Sequence, residues 1–273
     1  MNNFIIDPLT ERKHTVTESL IHKYPNRVLC LLTKDCNAGC PFCFRKNIYQ
    51  RGEKNKINLE KIIEYLEKNK NVNEFIFSGG EPLLEGQLLE KFCDALFELK
   101  QIKIIRIHSK LPISAPQIMP WENLEKITEK SKLPLYFLIH VNSCQELEKA
   151  ETLETISRLR KMGFILLSQT VFLKDVNDNQ EELENLFNKL LENGVKPYYI
   201  FHCDRIENYQ KFQVDLKKEI YLMSAIRKTV SGLAYPLHVI DSESGDGKIP
   251  VPTNHWKTDF SKYKDFSQKE NLV

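Results

Sequence analysis

The 273 residues suffice for one larger α/β domain or two small ones with a substantial core, and one catalytic domain is the simplest expectation. Lys and Arg number 39 against 37 Asp and Glu, so the net charge of +2 excludes any electrostatic argument for nucleic acid or a membrane surface as partner. The opening Met1-Asn2-Asn3-Phe4-Ile5-Ile6-Asp7-Pro8 lacks a signal-peptide core and no apolar run reaches spanning length, which predicts a cytoplasmic protein that small molecules or local partners meet.

An N-terminal arm, residues 1–27, comes first. Beyond it, β-rich apolar runs alternate with amphipathic Lys/Glu-rich segments, a βα rhythm that predicts a parallel sheet. Strands are expected at Val28–Thr33, Glu74–Phe77, Lys103–His108, Leu135–Val141, Ile165–Val171 and Lys196–His202, with a further one at Leu237–Ile240. Helices are expected at Leu59–Lys68, Leu88–Leu99, Trp121–Glu129, Glu146–Met162, Gln180–Glu192 and Leu216–Thr229, each with apolar residues at three- and four-residue spacing. Short connections favour a partial (βα)6-type TIM barrel over residues 28–256, and a polar tail occupies 257–273. In such barrels chemistry collects at the C-terminal ends of strands. The unusual residues fall there: a cysteine loop after the first strand, Ser78-Gly79-Gly80-Glu81-Pro82 after the second, then His108, His140, Asn142, Gln169 and Asp204.

Cys36, Cys40 and Cys43 have the spacing C-x3-C-x2-C. A cubane iron–sulfur cluster normally takes four thiolates, so a loop offering three leaves one iron open to a reacting molecule. Zinc also uses closely spaced cysteines, and Cys30 and His22 lie nearby, so spacing alone leaves a structural zinc open. In a reducing compartment disulfides are not expected of the other cysteines; Cys30, Cys93, Cys144 and Cys203 read as packed thiols.

The cysteine triplet followed by a Gly-Gly-Glu-Pro turn after the next strand resembles the radical S-adenosylmethionine enzymes. A closer resemblance, from Asp7 to Asn254, is to the lysine 2,3-aminomutase family. It is carried by His22-Lys23-Tyr24-Pro25-Asn26-Arg27, Cys43-Phe44-Arg45-Lys46, Ile107-His108-Ser109-Lys110-Leu111-Pro112, Gln169-Thr170-Val171, Asp175-Val176-Asn177-Asp178, Lys196-Pro197-Tyr198-Tyr199 and Gly245-Asp246-Gly247-Lys248-Ile249-Pro250.

This resemblance implies a radical aminomutase that moves the α-amino group of L-lysine to the adjacent carbon. It implies three cofactors: a [4Fe-4S] cluster on Cys36, Cys40 and Cys43, S-adenosyl-L-methionine, and pyridoxal 5′-phosphate held covalently by Lys248. Ser78, Gly79, Gly80 and Glu81, with His140, Asn142 and Gln169, match parts of the S-adenosylmethionine pocket; Tyr24 and Arg27 match residues that hold pyridoxal phosphate. Arg45 matches the clamp on the substrate carboxylate, and Asp204 and Asp241 the two acids that hold the far ammonium of lysine. A low-potential electron donor such as flavodoxin or ferredoxin is implied, and a homodimer is the assembly to consider. Larger family members carry extra terminal regions with zinc-binding cysteines; Asn179 stands where such relatives can carry one, so no zinc site is expected. The short build is similar to the branch that supplies β-lysine for elongation factor P, which leaves that pathway, another basic amino acid such as arginine, or a non-catalytic S-adenosylmethionine- or partner-binding barrel as alternatives.

Overall fold

The computed structural model describes residues 7–48, 57–206, 209–242, 247–255, 262–264 and 269–272. Three antiparallel-linked strands open the fold: β1 (Thr15–Thr17), β2 (Leu20–Tyr24) and β3 (Arg27–Thr33). There follow α1 (Leu59–Lys68), β4 (Glu74–Gly79), α2 (Gly86–Phe97), β5 (Ile104–Ser109), α3 (Leu111–Ser114), α4 (Trp121–Lys130), β6 (Leu135–His140), α5 (Ala150–Lys161) and β7 (Ile165–Val171). The chain continues through α6 (Gln180–Glu192), β8 (Lys196–Phe201), α7 (Leu216–Ile226), β9 (Leu237–Asp241) and β10 (Lys248–Pro250), and a short pair, β11 (Lys262–Lys264) and β12 (Glu270–Leu272), closes the described part.

One sheet runs in the order β1 to β10. Strands β3 to β9 pair in parallel with their sequence neighbours, and β10 turns back antiparallel on β9. The sheet is not closed, because β1 and β10 end the order without pairing to each other. Six crossovers between β3 and β9 are therefore the expected (βα)6 partial barrel, and the predicted strand at Leu237–Ile240 is its last parallel member. Period-2 alternation sorts the faces: along β5, Ile105, Ile107 and Ser109 are buried while Ile104, Arg106 and His108 are half-buried. The apolar set packs on the helices, as where Phe75 and Phe77 meet Phe92 of α2 with ring centroids 6.3 and 6.0 Å away. The other set lines the concave face.

Helix starts follow the local chemistry. Asn58, Asn179 and Asp215 cap α1, α6 and α7, each accepting a backbone N–H at 2.9 Å. Asn179 is thus an N-cap. One expectation is corrected. The predicted helix Glu146–Met162 is broken, because Ser143 and Glu146 form a capping box on a 3-10 turn over Cys144–Leu147 and Lys149 is extended before α5 starts at Ala150. The described part of the N-terminal arm adds β1 and β2 to the sheet. Among the described residues no helix is long and apolar enough to cross a membrane.

Candidate active site

The cysteine loop leaves the C-terminal end of β3. Cys43 N–H donates to the Cys40 carbonyl at 3.2 Å, Tyr209 Oη donates to the Cys43 carbonyl at 3.2 Å, and Asn37 Nδ2 donates to Ser114 Oγ at 3.1 Å. All three thiols are partly exposed. Burial, reinforced by Cys43 and Cys36 and offset by Lys110, pushes Cys40 up to about 11, so its thiolate persists there only against a compensating positive charge. Among the described residues no three His, Cys, Asp or Glu side chains converge on one ion position.

Gly79 and Gly80 lie beside this loop. They admit the protein's own backbone: a Cβ on Gly80 would lie 2.0 Å from the Asp35 carbonyl oxygen and one on Gly79 2.4 Å from that of Thr33. The N–H groups of Gly80 and Glu81 donate to Thr33 O and Asp35 O, each at 2.7 Å, stitching the turn to the entry of the cysteine loop. Gly79 also has φ 121°, which glycine alone adopts without strain. The Glu81 carboxylate is buried and faces inward, accepting from the N–H groups of Leu83, Lys110 and Leu111 at 3.2, 2.9 and 3.1 Å. It therefore locks the turn after β4 to the turn after β5, and burial raises its pKa against those bonds.

Arg45 is held from two sides. Its Nε and Nη2 reach the Glu11 carboxylate at 3.1 and 2.6 Å, and its Nη1 donates to Ser78 Oγ at 3.0 Å and Gly79 O at 3.2 Å. The arginine expected to clamp a substrate carboxylate thus already grips one in bidentate fashion, supplied by the arm. His140 stands edge-on to Phe42 of the cysteine loop at 5.8 Å, and its buried Nε2 has no hydrogen-bond partner among the described residues. Burial, with Lys110 nearby, lowers it to about 3, so it is neutral. Asn142 is committed to the backbone, accepting from Val171 N–H at 3.0 Å, and Gln169 pairs in register with His140 across β6 and β7.

The opposite rim carries the acids. Asp204 follows β8 and Asp241 ends β9. Lys248 opens β10 directly across from Asp241, and its Nζ donates to both Asp241 oxygens at 2.7 and 2.8 Å while standing 4.9 Å above the Phe201 ring. Burial, then the charge of Asp241, pushes Asp204 up to about 7, with Lys248 and His202 opposing. Gly245 and Asp246 of the glycine-rich loop lie outside the described residues.

Tyr24 and Arg27 sit at the other end of β3, about 20 Å from its cysteine end at the usual strand rise. The Arg27 guanidinium lies 3.7 Å above the Tyr24 ring. A set of concave-face residues that sequence reasoning did not assign joins the two ends. Arg106 pairs with Glu74 and hydrogen-bonds Tyr198, with Arg27 and Tyr199 in electrostatic reach. His108 is held neutral by burial and by Arg106, Arg45 and Lys248, and its buried Nε2 has no partner among the described residues. His108 stood out already as a strand-end residue, whereas only the i, i+2 alternation of β5 could have flagged Arg106 beside it.

These residues fit the implied groups. The thiol triplet suits a cluster, the unpartnered His140 Nε2 beside it suits a polar ligand, and Lys248, His108, Arg106 and Arg27 form a cationic and hydrogen-bonding strip suited to a phosphorylated aldehyde.

Known proteins agree. Residues 30–190 match the family model described as Radical SAM superfamily. A protein of Aquifex aeolicus strain VF5 is 38% identical over 242 residues, 87% of this chain and 65% of its own length. The L-lysine 2,3-aminomutases of Buchnera aphidicola subsp. Baizongia pistaciae and Escherichia coli K12 are 34% and 36% identical over 93% and 91% of this chain, which spans 74% and 72% of theirs. A radical SAM methyltransferase from Sphaerobacter thermophilus shares the fold, with TM-score 0.57 at 14% identity over 81% of this chain and 68% of its own. The chain belongs to the radical S-adenosylmethionine superfamily and, within it, to the lysine 2,3-aminomutase family.

Proposed function

We propose that this protein is a radical aminomutase that converts L-lysine to β-lysine by moving the α-amino group to the adjacent carbon. One observation supports the substrate class above the others: both ends of the pocket hold the protein's own stand-ins for a basic amino acid. A carboxylate, Glu11, lies in the fork of Arg45, and an ammonium, Lys248 Nζ, lies on Asp241 with Asp204 beside it. An acidic substrate would meet two carboxylates at the far end and be rejected.

Bound by Cys36, Cys40 and Cys43 and by Lys248, the [4Fe-4S] cluster with S-adenosylmethionine would supply one-electron chemistry and pyridoxal phosphate a carrier for the migrating amine. The chain's own residues do the rest. Arg45 orients the carboxylate end, and Asp241 and Asp204 hold the side-chain ammonium. Arg106 and Arg27 balance a phosphate on the concave face, and Tyr198 and Tyr199 cover it. His108 and His140, both neutral, keep stray charge out of the cleft. Asp204 gives up its proton as the substrate cation arrives, because an adjacent ammonium favours the carboxylate. Positioning and exclusion of water are the protein's contribution.

The test is anaerobic incubation of reconstituted protein with dithionite and either L-lysine or L-arginine, products being resolved by chromatography. β-Lysine from lysine, with arginine unchanged, is expected. No β-amino acid from either substrate would sink the assignment.

A further inference from the structure

Behind the acidic rim lies a buried charge cluster with no role in the chemistry above. Glu219 is the fourth residue of α7, and its side chain is fully buried where the same helix otherwise buries Leu222, Met223, Ile226 and the hydroxyl-bearing Ser224. Both of its oxygens lie 3.0 Å from His202 Nδ1, and one lies 3.0 Å from His238 Nε2. His202 directly follows β8 and His238 lies within β9. The His202 N–H also donates to the Val239 carbonyl of β9 at 2.9 Å. The His238 ring stands edge-on to Phe172 at 5.2 Å, and its Nδ1 is buried without a partner among the described residues, so Nε2 carries the proton given to Glu219.

A desolvated carboxylate in an apolar helix face is costly unless both oxygens are hydrogen-bonded, and an apolar residue would fill the place more simply. What the carboxylate adds is a tie between two strands. His202 lies two residues before Asp204, and His238 three residues before Asp241. One carboxylate therefore anchors the end of β8 just before Asp204 and, through the second residue of β9, the strand that ends in Asp241.

We infer that Glu219 is a positioning residue: through His202 and His238 it fixes the separation of Asp204 and Asp241, and thereby the length of the cationic side chain the enzyme accepts. This rests on reading that pair as the ammonium site. Among neighbouring titratable groups, Asp204 and Glu219 both bear on the Cys203 thiol at the β8 end, while Asp241 from β9, Lys248 from β10, His202 and Glu11 from the arm bear on Asp204. None of the others replaces Glu219 as the shared acceptor of the two imidazoles.

The experiment compares lysine with ornithine, one methylene shorter, on the reconstituted holoenzyme. Glu219→Gln retains shape but turns one of the two acceptor oxygens into an N–H donor, so the carboxylate's two-sided tie to both imidazoles is broken. It should reduce the lysine-over-ornithine ratio of kcat/KM about tenfold, chiefly through the KM for lysine, while borohydride labelling of Lys248 with pyridoxal phosphate stays intact. Glu219→Asp should recover part of the ratio. If Glu219→Gln fails to fold, His202→Asn and His238→Asn each remove one arm and are read in the same way. An unchanged ratio, or equal losses for both substrates, would overturn the inference. Asp204→Asn and Asp241→Asn run alongside: if they too leave the ratio unchanged, the ammonium-site reading itself has failed. If they collapse it while the Glu219 and histidine variants do not, only the tie is wrong.

Discussion

The two rims of the cleft are built by different means. On the cysteine rim, backbone holds backbone: Gly80 and Glu81 bond Thr33 and Asp35, Cys43 bonds Cys40, and the buried Glu81 carboxylate secures three more amides. On the acidic rim, side-chain charges hold one another: Lys248 with Asp241, His202 and His238 with Glu219, Asp204 within reach of most of them. A rim that must grip a cofactor in one geometry gains from short, stiff loops, whereas a rim that selects a cation gains from charges that respond to it. The contrast implies that the first rim fails through steric damage and the second through changes of charge.

The largest effect is expected at the thiols. Replacing Cys36, Cys40 or Cys43 by Ser should remove the brown colour and reduce activity roughly a thousandfold or more, because each removes one of the three thiolates that hold the cluster. Retained visible absorbance in all three variants would break the comparison at its root. Lys248→Ala, on the other rim, should also abolish turnover and borohydride labelling, yet leave the cluster spectrum unchanged. A bleached Lys248→Ala protein would mean that the rims are not separable.

Glycine substitutions sharpen the contrast at intermediate size. Gly80→Ala drives a Cβ to within 2.0 Å of the Asp35 oxygen, so thermal unfolding should show a loss of about 2–4 kcal/mol. Gly247→Ala, at φ 143° with nothing within 4 Å, should cost only about 1 kcal/mol of backbone strain. Equal losses would contradict a backbone-built cysteine rim.

The smallest effect is electrostatic. Asp204 is raised from 3.8 to about 7 in the folded protein, so between those values the native state keeps a proton that the unfolded chain has released. Stability of the ligand-free protein should therefore fall as pH climbs through that window and level off above it. Asp204→Asn should melt like the parent near pH 4 and a few degrees higher near pH 8. In steady-state assays the parent's KM for lysine should rise as pH drops below about 7, and the Asn variant should lose that dependence. A parallel dependence in both proteins would place the titrating group elsewhere.

How much of this was legible in the chain follows the same division. The strands from Arg27 to Phe201 fall where hydrophobic periodicity puts them, within one or two residues at either end, because apolar β-branched runs bounded by helix caps decide locally. The break at Lys149 was missed because Glu146 reads as a helix former until its carboxylate is seen capping Asn142 and Ser143. Glu219, His202 and His238 were passed over, since each alone resembles a surface helix residue or a strand-end histidine. Arg106 and His108 stood in an ordinary strand, and only the concave side of an open sheet gives them a shared purpose.

By itself the sequence determined the alternating βα architecture, the thiol triplet, the Gly-Gly turn and the membership in an aminomutase family, because period, spacing and local order are properties of neighbours along the chain. Tertiary structure alone decided that the two glycines admit the entry strand of the cysteine loop and that Glu11 fills the fork of Arg45. It also decided that Lys248 rests on Asp241 and that one buried glutamate ties the two acid-bearing strands. Those contacts join residues far apart in sequence, and the energy of a buried charge depends on which partners the fold brings within about 3 Å of it.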